Sequence, residues 1–269
     1  MGSGVKIASR QNERIREAKK LSQKKYRDQR GRLLVEGVRL VEEALAASLV
    51  EQLFFTERLL ASPRGQALVQ WAQNGAVEAW ECSEAALGEL TDTVTSQGVV
   101  AVARKPSWPV AIQGVVVIAD EIQDPGNLGT LLRTAAAVGA QGLFVVKGSV
   151  DPYSPKVLRA SMGAVFQLPH WLVEREELLR QLRKSQTSIV VADLQDADSF
   201  WNVTYPPQLA VVIGNEGRGV HPSFREQADL VVRIPLLGQV ESLNASVAAG
   251  VLLYEILRQH HCSAGDSVL

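Results

Sequence analysis

Cysteine and histidine, the residues that build disulfide frameworks and most zinc sites, are scarce in this chain of 269 residues. The two cysteines, Cys82 and Cys262, do not form a Cys-x-x-Cys pair. His260 and His261 stand beside Cys262, but adjacent side chains on a helix point in different directions and do not readily share a metal ion. We therefore expect neither a disulfide framework nor a metal site.

Long apolar runs are missing as well. Runs such as residues 115–119 and 209–213 are far shorter than the ~20 residues that a membrane-spanning helix needs, and residues 1–20 lack the apolar centre of a signal peptide. At the same time 46% of the residues are hydrophobic, which is enough to bury a core in each of two domains. These features predict a globular, cytoplasmic protein.

Charge is distributed unevenly along the chain. The formal net charge is −1, but the first 32 residues hold 11 Lys or Arg against 3 Asp or Glu, and the remainder holds 17 against 26. A basic segment followed by an acidic body is typical of proteins whose terminal arm meets a polyanion. Residues 11–25 are predicted to form a short helix with little apolar face. Such a helix gains little from packing on a core, and binding to phosphates would stabilise it instead. Nucleic acid is the expected partner, and a solvated or disordered tail is the alternative.

The region from Arg32 to Lys105 alternates short apolar strands with helices, which predicts a small α/β domain. We expect strands at residues 33–35, 50–56, 77–81 and 98–103, and helices at 36–47, 66–73 and 83–90. Two prolines in Lys105-Pro106-Ser107-Trp108-Pro109 then interrupt regular structure. The sequence therefore predicts one domain over residues 1–105 and a second over residues 106–269.

The second region has the pattern of a mostly parallel sheet covered by helices on both faces. We expect strands at residues 114–119, 142–146, 188–192, 209–213 and 230–234, and helices at 127–138, from 154, at 174–184 and at 243–259. Ligands of open α/β sheets gather at the carboxyl ends of the strands. Polar, glycine-bearing loops follow three of these strands, and these loops are the candidate site.

The first loop, DEIQDPGNLGT at residues 120–130, leads into a helix that ends before Gly139. We expect Asn127 to cap the start of this helix. Arg133 is a lone arginine among Leu, Thr and Ala residues. It is either a surface charge or a guanidinium that faces an anion near the helix N-terminus.

The second and third loops are rich in glycine and in capping residues. In IGNEGRGV, at residues 213–220, the order GxxGxG differs from the GxGxxG of dinucleotide-binding folds. Its glycines Gly214, Gly217 and Gly219 permit close approach of the backbone to a ligand. In IPLLGQVESLNASVA, at residues 234–248, either Ser242 or Asn244 can cap the helix that follows.

Taken together, three segments are recognisable. DPGNLGTLLRTAAAVGA, VVIGNEGRGV and IPLLGQVESLNASVAAG resemble, in this order, the three motifs of the SpoU (TrmH-like) branch of the SPOUT methyltransferases. LLVEGVRLVEEAL and TSQGVVAVAR also resemble the substrate-binding domain that precedes the catalytic domain in many members. The resemblance therefore covers nearly the whole chain.

The resemblance implies an enzyme that moves a methyl group from S-adenosylmethionine to a ribose 2′-hydroxyl of RNA. It implies an α/β catalytic domain that contains a deep trefoil knot, an exception to the general absence of knots. The small α/β domain before it would bind the RNA substrate. The family works as a homodimer with each active site at the subunit interface, and its reaction requires no metal.

The resemblance also assigns roles to individual residues. The residues implied to line the cofactor site are Leu194, Gly214, Glu216, Ile234, Leu237 and Leu243. The polar active-site positions are Asn127, Arg133, Glu216, Ser242 and Asn244. Arg133 is the family's proposed activator of the hydroxyl. Because a guanidinium keeps its proton up to pH ~12, we expect it to bind the adjacent phosphate and to stabilise the developing alkoxide instead.

Several functions remain open at this point. Ribosomal RNA is the expected substrate, because the additional N-terminal domain and the basic arm resemble those of members that recognise structured ribosomal RNA. Transfer RNA is the nearest alternative. A catalytically silent RNA-binding module and a nucleotide enzyme on an ordinary doubly wound fold are the others, although the five polar positions argue against the silent module.

Overall fold

The computed structural model describes residues 6–75, 77–193 and 197–264 and divides into two compact units. The first unit comprises the chain up to Ser107 together with Tyr153–Phe166, and the second comprises Trp108–Pro152 together with the chain from Gln167 onward. Tyr153–Phe166 lies within residues 106–269, which the sequence predicts as one domain, whereas in the structure this segment packs with the first unit. A single boundary in the sequence therefore does not describe the division.

The helices and strands follow each other in an α/β order throughout. Up to Ser107 they are α1 (Glu13–Lys19), a 3₁₀ helix (Lys20–Ser22), α2 (Lys24–Arg30), β1 (Arg32–Glu36), α3 (Val38–Ala46), β2 (Val50–Phe55), α4 (Glu57–Leu60), α5 (Pro63–Asn74), β3 (Glu78–Glu81), α6 (Glu84–Leu87) and β4 (Val99–Arg104). Thereafter they are β5 (Val115–Ala119), α7 (Pro125–Ala137), β6 (Gly142–Val146), α8 (Pro155–Ser161), a 3₁₀ helix (Ala164–Phe166), β7 (His170–Val173), α9 (Arg175–Lys184), β8 (Ser188–Ala192), β9 (Asp198–Ser199), β10 (Leu209–Ile213), α10 (Pro222–Arg225), β11 (Leu230–Arg233) and α11 (Ala245–Ala264).

The first unit is built on a four-stranded sheet in the order β1-β4-β2-β3. β4 lies between β1 and β2 and is antiparallel to both, while β3 pairs in parallel with β2. The central position of β4 agrees with its sequence, VVAVAR, in which only Arg104 is exposed. The small α/β domain expected before residue 105 is confirmed, and α8 from the returning segment packs against β1 of this unit.

The basic segment at the start of the chain is not a free arm. Ile15, Ala18 and Leu21 are buried in the hydrophobic core of the first unit. The Asn12 side chain caps α1 by accepting a hydrogen bond from the backbone N–H of Arg14 at 3.0 Å. The expectation of a helix with little apolar face is wrong. Ile15, Ala18 and Leu21 follow each other at intervals of three residues and form a narrow apolar stripe, which is hard to recognise in a sequence so rich in charged residues.

The second unit is built on seven strands in the order β7-β6-β5-β10-β8-β11-β9, and every neighbouring pair is parallel. The expected parallel sheet is therefore confirmed. β7 and β9 are absent from the sequence prediction, because β7 holds only four residues with mixed exposure and β9 only two. The deep knot implied by the resemblance stays a prediction.

Two helices of the second unit begin at the candidate loops. α7 begins at Pro125, and its cap is Asp124, whose Oδ1 accepts a hydrogen bond from the backbone N–H of Asn127 at 2.8 Å. The expectation that Asn127 is the cap is therefore wrong, since proline fits the first helical position and moves the start upstream. Asn244 caps α11 by accepting from the backbone N–H of Ser246 at 3.0 Å.

Of the helices in the described residues, none combines the length and the apolar character that a bilayer crossing requires.

Candidate active site

The three loops singled out in the sequence leave the sheet at the carboxyl ends of β5, β10 and β11. Because α7 begins at Pro125 and α11 at Ala245, two of the loops are shorter in the structure than in the sequence prediction. From here on the first loop is residues 120–124, the second loop is residues 214–221 and the third loop is residues 234–244. β5 and β10 are neighbours, and β8 lies between β10 and β11. Because the strands are parallel, all three loops emerge at the same edge of the sheet.

Side-chain hydrogen bonds join all three loops through Asn127. Its Nδ2 donates to Oε1 of Glu216 in the second loop at 2.9 Å. Its Oδ1 accepts from Nδ2 of Asn244 in the third loop at 2.8 Å. Asn127 itself is buried in the first turn of α7. The structure therefore brings together three of the five polar residues expected from the sequence, and they form a chain of direct contacts.

The Glu216 carboxylate organises the first loop from the second. Its Oε2 accepts from the backbone N–H of Gln123 and its Oε1 from that of Asp124, each at 3.1 Å. Partial burial alone would raise the pKa of Glu216, but the hydrogen bonds from Asn127, Gln123 and Asp124 outweigh burial and lower the pKa below its ordinary value. Glu216 is therefore ionised at neutral pH and acts as an acceptor that ties two loops.

Ser246 joins the same network but is not among the residues expected from the sequence. Its Oγ donates to Oδ1 of Asn244 at 2.7 Å and lies 3.5 Å from Oδ1 of Asn127. A serine two residues after a capping asparagine, at the start of an apolar helix, is the signal that could have identified it. Ser242 is exposed and makes no hydrogen bond to another described residue, so the structure does not bring it into the network.

Arg133 lies on the opposite side of α7 from the buried residues. It shares an exposed stripe with Gly126, Thr130 and Ala137, at the spacing of one helix face. No described carboxylate pairs with its guanidinium, in contrast to most arginines that the structure describes in the second unit. Arg133 is therefore a cation available to an external anion, and it makes no hydrogen bond or ion pair with Asn127 or Glu216.

The second loop is a tight turn that depends on its first glycine. Asn215 and Gly219 form an isolated antiparallel bridge, and Oδ1 of Asn215 accepts from the backbone N–H of Gly217 at 2.9 Å and of Arg218 at 3.0 Å. A Cβ atom at Gly214 would lie 2.3 Å from the backbone carbonyl carbon of Gly219. Any other residue at position 214 would therefore open the turn.

The third loop offers groups suited to a nucleoside. Residues 234–243 make no hydrogen bond to the rest of the described chain, so their backbone N–H and C=O groups are available to a ligand. Ile234 and Leu243 are half-buried at the two ends of this loop, whereas Leu237 is 98% exposed. Leu194 lies outside the described residues. Apolar contacts combined with backbone hydrogen bonds are what an adenosyl group requires, and Gly214, Ile234 and Leu243 fit that requirement.

Comparison with known proteins gives the same picture. Residues 114–254 match the SpoU rRNA Methylase family, and residues 12–101 match the MRM3-like substrate binding domain. The chain is 32% identical over 251 residues to the 23S rRNA (guanosine(2553)-2′-O)-methyltransferase RlmP of Bacillus subtilis, covering 93% of this chain and 98% of that protein. It is 29% identical to the human mitochondrial rRNA methyltransferase 3, covering 90% of this chain and 71% of that protein.

Solved structures agree over almost the full length. An RNA 2′-O ribose methyltransferase is similar with a TM-score of 0.81 at 35% identity, covering 95% of this chain and 99% of the other. An AdoMet-bound rRNA methyltransferase from Sinorhizobium meliloti is similar with a TM-score of 0.85 at 28% identity, covering 96% and 99%. The chain therefore belongs to the SpoU rRNA methylase family and is an S-adenosylmethionine-dependent RNA 2′-O-methyltransferase.

Proposed function

We propose that the protein methylates a ribose 2′-hydroxyl of ribosomal RNA. The observation that carries this proposal is the hydrogen-bonded chain from Glu216 through Asn127 to Asn244, because it fixes the three loops of the family around one point. Ribosomal RNA is favoured over transfer RNA because two relatives that match over most of the chain, RlmP and the human mitochondrial enzyme, are named for ribosomal RNA. A cytoplasmic location is part of the same proposal.

The residues of the chain divide between donor and acceptor. S-adenosylmethionine supplies an electrophilic methyl group on a sulfonium centre. Gly214, Ile234 and Leu243 would hold it through backbone groups and apolar contacts. The network of Asn127, Glu216 and Asn244 keeps the three loops in one arrangement, which would orient the donor and the ribose hydroxyl relative to each other. Ser242 and Leu237, which are exposed on the third loop, are assigned to the same site.

Arg133 acts on the acceptor. Its guanidinium binds the phosphate next to the target ribose and stabilises the negative charge that develops on the 2′-oxygen. Because an arginine side chain does not release its proton at neutral pH, the proton of the hydroxyl passes to that phosphate or to solvent. The proposal requires no metal ion for this step.

The active form is proposed to be a homodimer. α11 packs against α7 and exposes Val247, Val251 and Tyr254, with 52%, 37% and 54% of their surfaces accessible. These residues recur at positions i, i+4 and i+7 and form one apolar stripe. An apolar stripe on a helix that packs beside the helix bearing Arg133 fits burial against a second copy, which would place Arg133 close to the subunit interface.

RNA is proposed to meet the first unit through a few basic residues. Six basic residues of the first 32 are already paired, namely Lys6 with Glu81, Arg10 and Lys19 with Glu89, Lys20 and Arg30 with Glu17, and Arg32 with Glu51. Arg14, Arg16, Lys24 and Lys25 are exposed and have no carboxylate partner in the described chain. The Arg14 guanidinium lies 4.1 Å from the centre of the Trp80 ring. These four cations are the ones available to phosphates.

The experiment that tests the proposed function is methyl transfer to purified RNA pools. The protein is incubated with labelled S-adenosylmethionine and either ribosomal or transfer RNA, and the modified ribose is mapped by its resistance to alkaline cleavage. We expect label in ribosomal RNA at one or a few ribose positions. Label in transfer RNA alone would show that transfer RNA, and not ribosomal RNA, is the substrate. If the protein binds RNA but labels neither pool, it is a catalytically silent RNA-binding module.

A further inference from the structure

A buried ion pair joins the first loop to α9. Its carboxylate belongs to the first loop, and its arginine belongs to neither of the first two loops. Asp120, which directly follows β5, is 1% exposed. Its Oδ1 accepts from Nε and Nη2 of Arg175, the first residue of α9, at 3.2 and 3.0 Å. Its Oδ2 accepts from the backbone N–H of His221 at 2.8 Å. Asp120 therefore connects α9 to the residue that ends the second loop.

The neighbouring residue, Glu121, makes a second connection. Its Oε1 accepts from Nη2 of Arg175 at 2.6 Å, and its backbone carbonyl accepts from Nδ2 of Asn215, near the start of the second loop, at 2.8 Å. Glu121 has a φ of +56°, a left-handed conformation that L-residues rarely adopt. The hydrogen bond from Arg175 lowers the pKa of the Glu121 carboxyl. A strained backbone is thus held in place from both its side chain and its carbonyl.

Among the described residues, Arg175 is the one that binds both carboxylates. Its side chain is only 12% exposed. Without it, Asp120 would be a buried charge whose remaining hydrogen bond from the described residues is the one from the His221 N–H. The contacts reach the second loop at both ends, through Asn215 and through His221. We infer that Arg175 is a positioning residue for the methyl-donor site, which fixes the second loop through Asp120 and Glu121.

This inference rests on the proposed function, because that function assigns the second loop to the donor. It predicts a separation that a stabilising ion pair alone would not produce. Loss of a purely structural interaction lowers the unfolding temperature but leaves the affinities of the folded protein unchanged. Loss of a positioning interaction weakens donor binding in protein that is still folded, while the RNA-binding groups, Arg133 included, are untouched.

The test compares Arg175→Met and Arg175→Lys with Arg180→Met, a control on the same helix whose side chain is 73% exposed and pairs with Glu177. The full chain is used at a temperature well below the unfolding midpoint of each variant. S-adenosylmethionine binding is measured by calorimetry, and KM is measured for the donor and for RNA. Lysine keeps the charge but provides no planar fork for two carboxylates.

For Arg175→Met we expect donor affinity to fall about tenfold or more, the usual consequence of losing charge-assisted hydrogen bonds, with the KM for RNA unchanged. Arg175→Lys should lie between this variant and the wild type, and it carries the test if Arg175→Met does not fold. Donor affinity equal to that of Arg180→Met, or an equal rise in both KM values, would overturn the inference. If the wild-type protein does not bind S-adenosylmethionine, the proposed function fails and this inference falls with it.

Discussion

Asn127 and Glu216 are 89 residues apart in the chain, yet Nδ2 of the asparagine donates to Oε1 of the glutamate at 2.9 Å. The same amide accepts from Asn244 through its oxygen. The Glu216 carboxylate accepts but does not donate, so residue 127 must donate to it, and residue 127 must also accept from the Asn244 amide. A side chain that serves both partners therefore needs a donor and an acceptor. The chemical identity of residue 127 therefore matters more than its size.

Asn127→Asp, a nearly isosteric change, should disrupt the network. It places two carboxylates in contact, and we expect a loss of about 1–3 kcal/mol in unfolding free energy, typical of a buried hydrogen bond left unsatisfied, together with weaker donor binding. Thermal unfolding and calorimetry measure both effects. Asn202→Asp, an exposed position in the same unit, is the matched control and should change neither.

The same variant has a pH signature. The lowered pKa of Glu216 means that its ionised form stabilises the native protein above the ordinary glutamate range, and that this contribution is lost as pH falls through the native pKa. In Asn127→Asp the like charge raises the pKa of one of the two carboxyls, so that protonation restores a donor. The difference in unfolding temperature between variant and wild type should narrow as pH falls from 8 to about 5. A difference that is constant over this range would contradict the assignment.

Arg133→Ala should abolish most methyl transfer while leaving donor binding intact, since Arg133 lies away from the second and third loops. Loss of one preorganised interaction lowers the rate on the order of a hundredfold, and Arg133→Lys should rescue poorly because a point charge cannot bind a phosphate in a bidentate manner. Single-turnover transfer and calorimetry separate the two steps. Arg183→Ala, at an exposed position on α9, is the control. A loss of donor affinity as large as the loss of rate would show that the role is misassigned.

The basic residues of the first unit should control the salt dependence of RNA binding. Truncation before β1 is unsuitable, since it removes Ile15 and Leu21 from the core. The variant with Arg14→Gln, Arg16→Gln, Lys24→Gln and Lys25→Gln keeps that core. We expect weaker RNA binding and a smaller salt slope, by about one for each phosphate that the protein no longer neutralises, with unchanged donor affinity.

The control for this variant preserves the charges, with Arg14→Lys, Arg16→Lys, Lys24→Arg and Lys25→Arg. Its salt slope should equal that of the wild type, because counterion release depends on charge. A wild-type slope in the glutamine variant would show that RNA is bound elsewhere. This design also separates the four unpaired cations from the six that already have carboxylate partners.

The sequence predicts the architecture of both units well, because apolar strands and helical periodicity are local signals. It predicts the candidate site only in part. Asn127, Glu216 and Asn244 are recognised through their motifs, but their direct contact is a tertiary property. Ser246 and Arg175 are not among the polar positions that the motifs identify. The role of Arg175 depends on its contact with the carboxylate of Asp120, which is 55 residues away in the chain.

Three further differences have physical causes. The helix α7 starts earlier than expected because Pro125 suits its first position. The basic segment packs by means of three small or aliphatic side chains that charged neighbours obscure. The return of Tyr153–Phe166 to the first unit depends on long-range packing that has no local signature.

Val251→Glu should prevent dimer formation, because it places a charge in the apolar stripe of α11. Sedimentation at micromolar concentration should show a wild-type dimer and a variant monomer with strongly reduced methyl transfer. Val94→Glu adds the same charge at a fully exposed valine of the first unit and should leave both properties unchanged. A wild-type monomer with full activity would contradict a site built at the subunit interface.

Cys82 should be unreactive in the native protein. Burial raises the pKa of its thiol to about 11 from an ordinary value of 9.0, so that the reactive thiolate is rare at pH 8.5. In a Cys262→Ser background, iodoacetamide should label Cys82 only upon unfolding. The same shift predicts that native stability falls as pH rises from about 8.5 towards 11, because only the unfolded thiol ionises in that interval. Rapid native labelling would contradict burial of this thiol.

The excursion of Tyr153–Phe166 into the first unit has a consequence for how such enzymes diversify. Genetic recombination that exchanges a substrate-recognition module between relatives usually needs one crossover at a linker. Here a crossover near Ser107 would transfer β1 and β4 without α8. Val157 and Leu158 of α8, both buried in the present fold, would then pack against residues from a different protein. Exchange of the whole first unit therefore requires three junctions, one after Ser107 and one at each end of Tyr153–Phe166, and gradual substitution within the first unit is the more accessible evolutionary route.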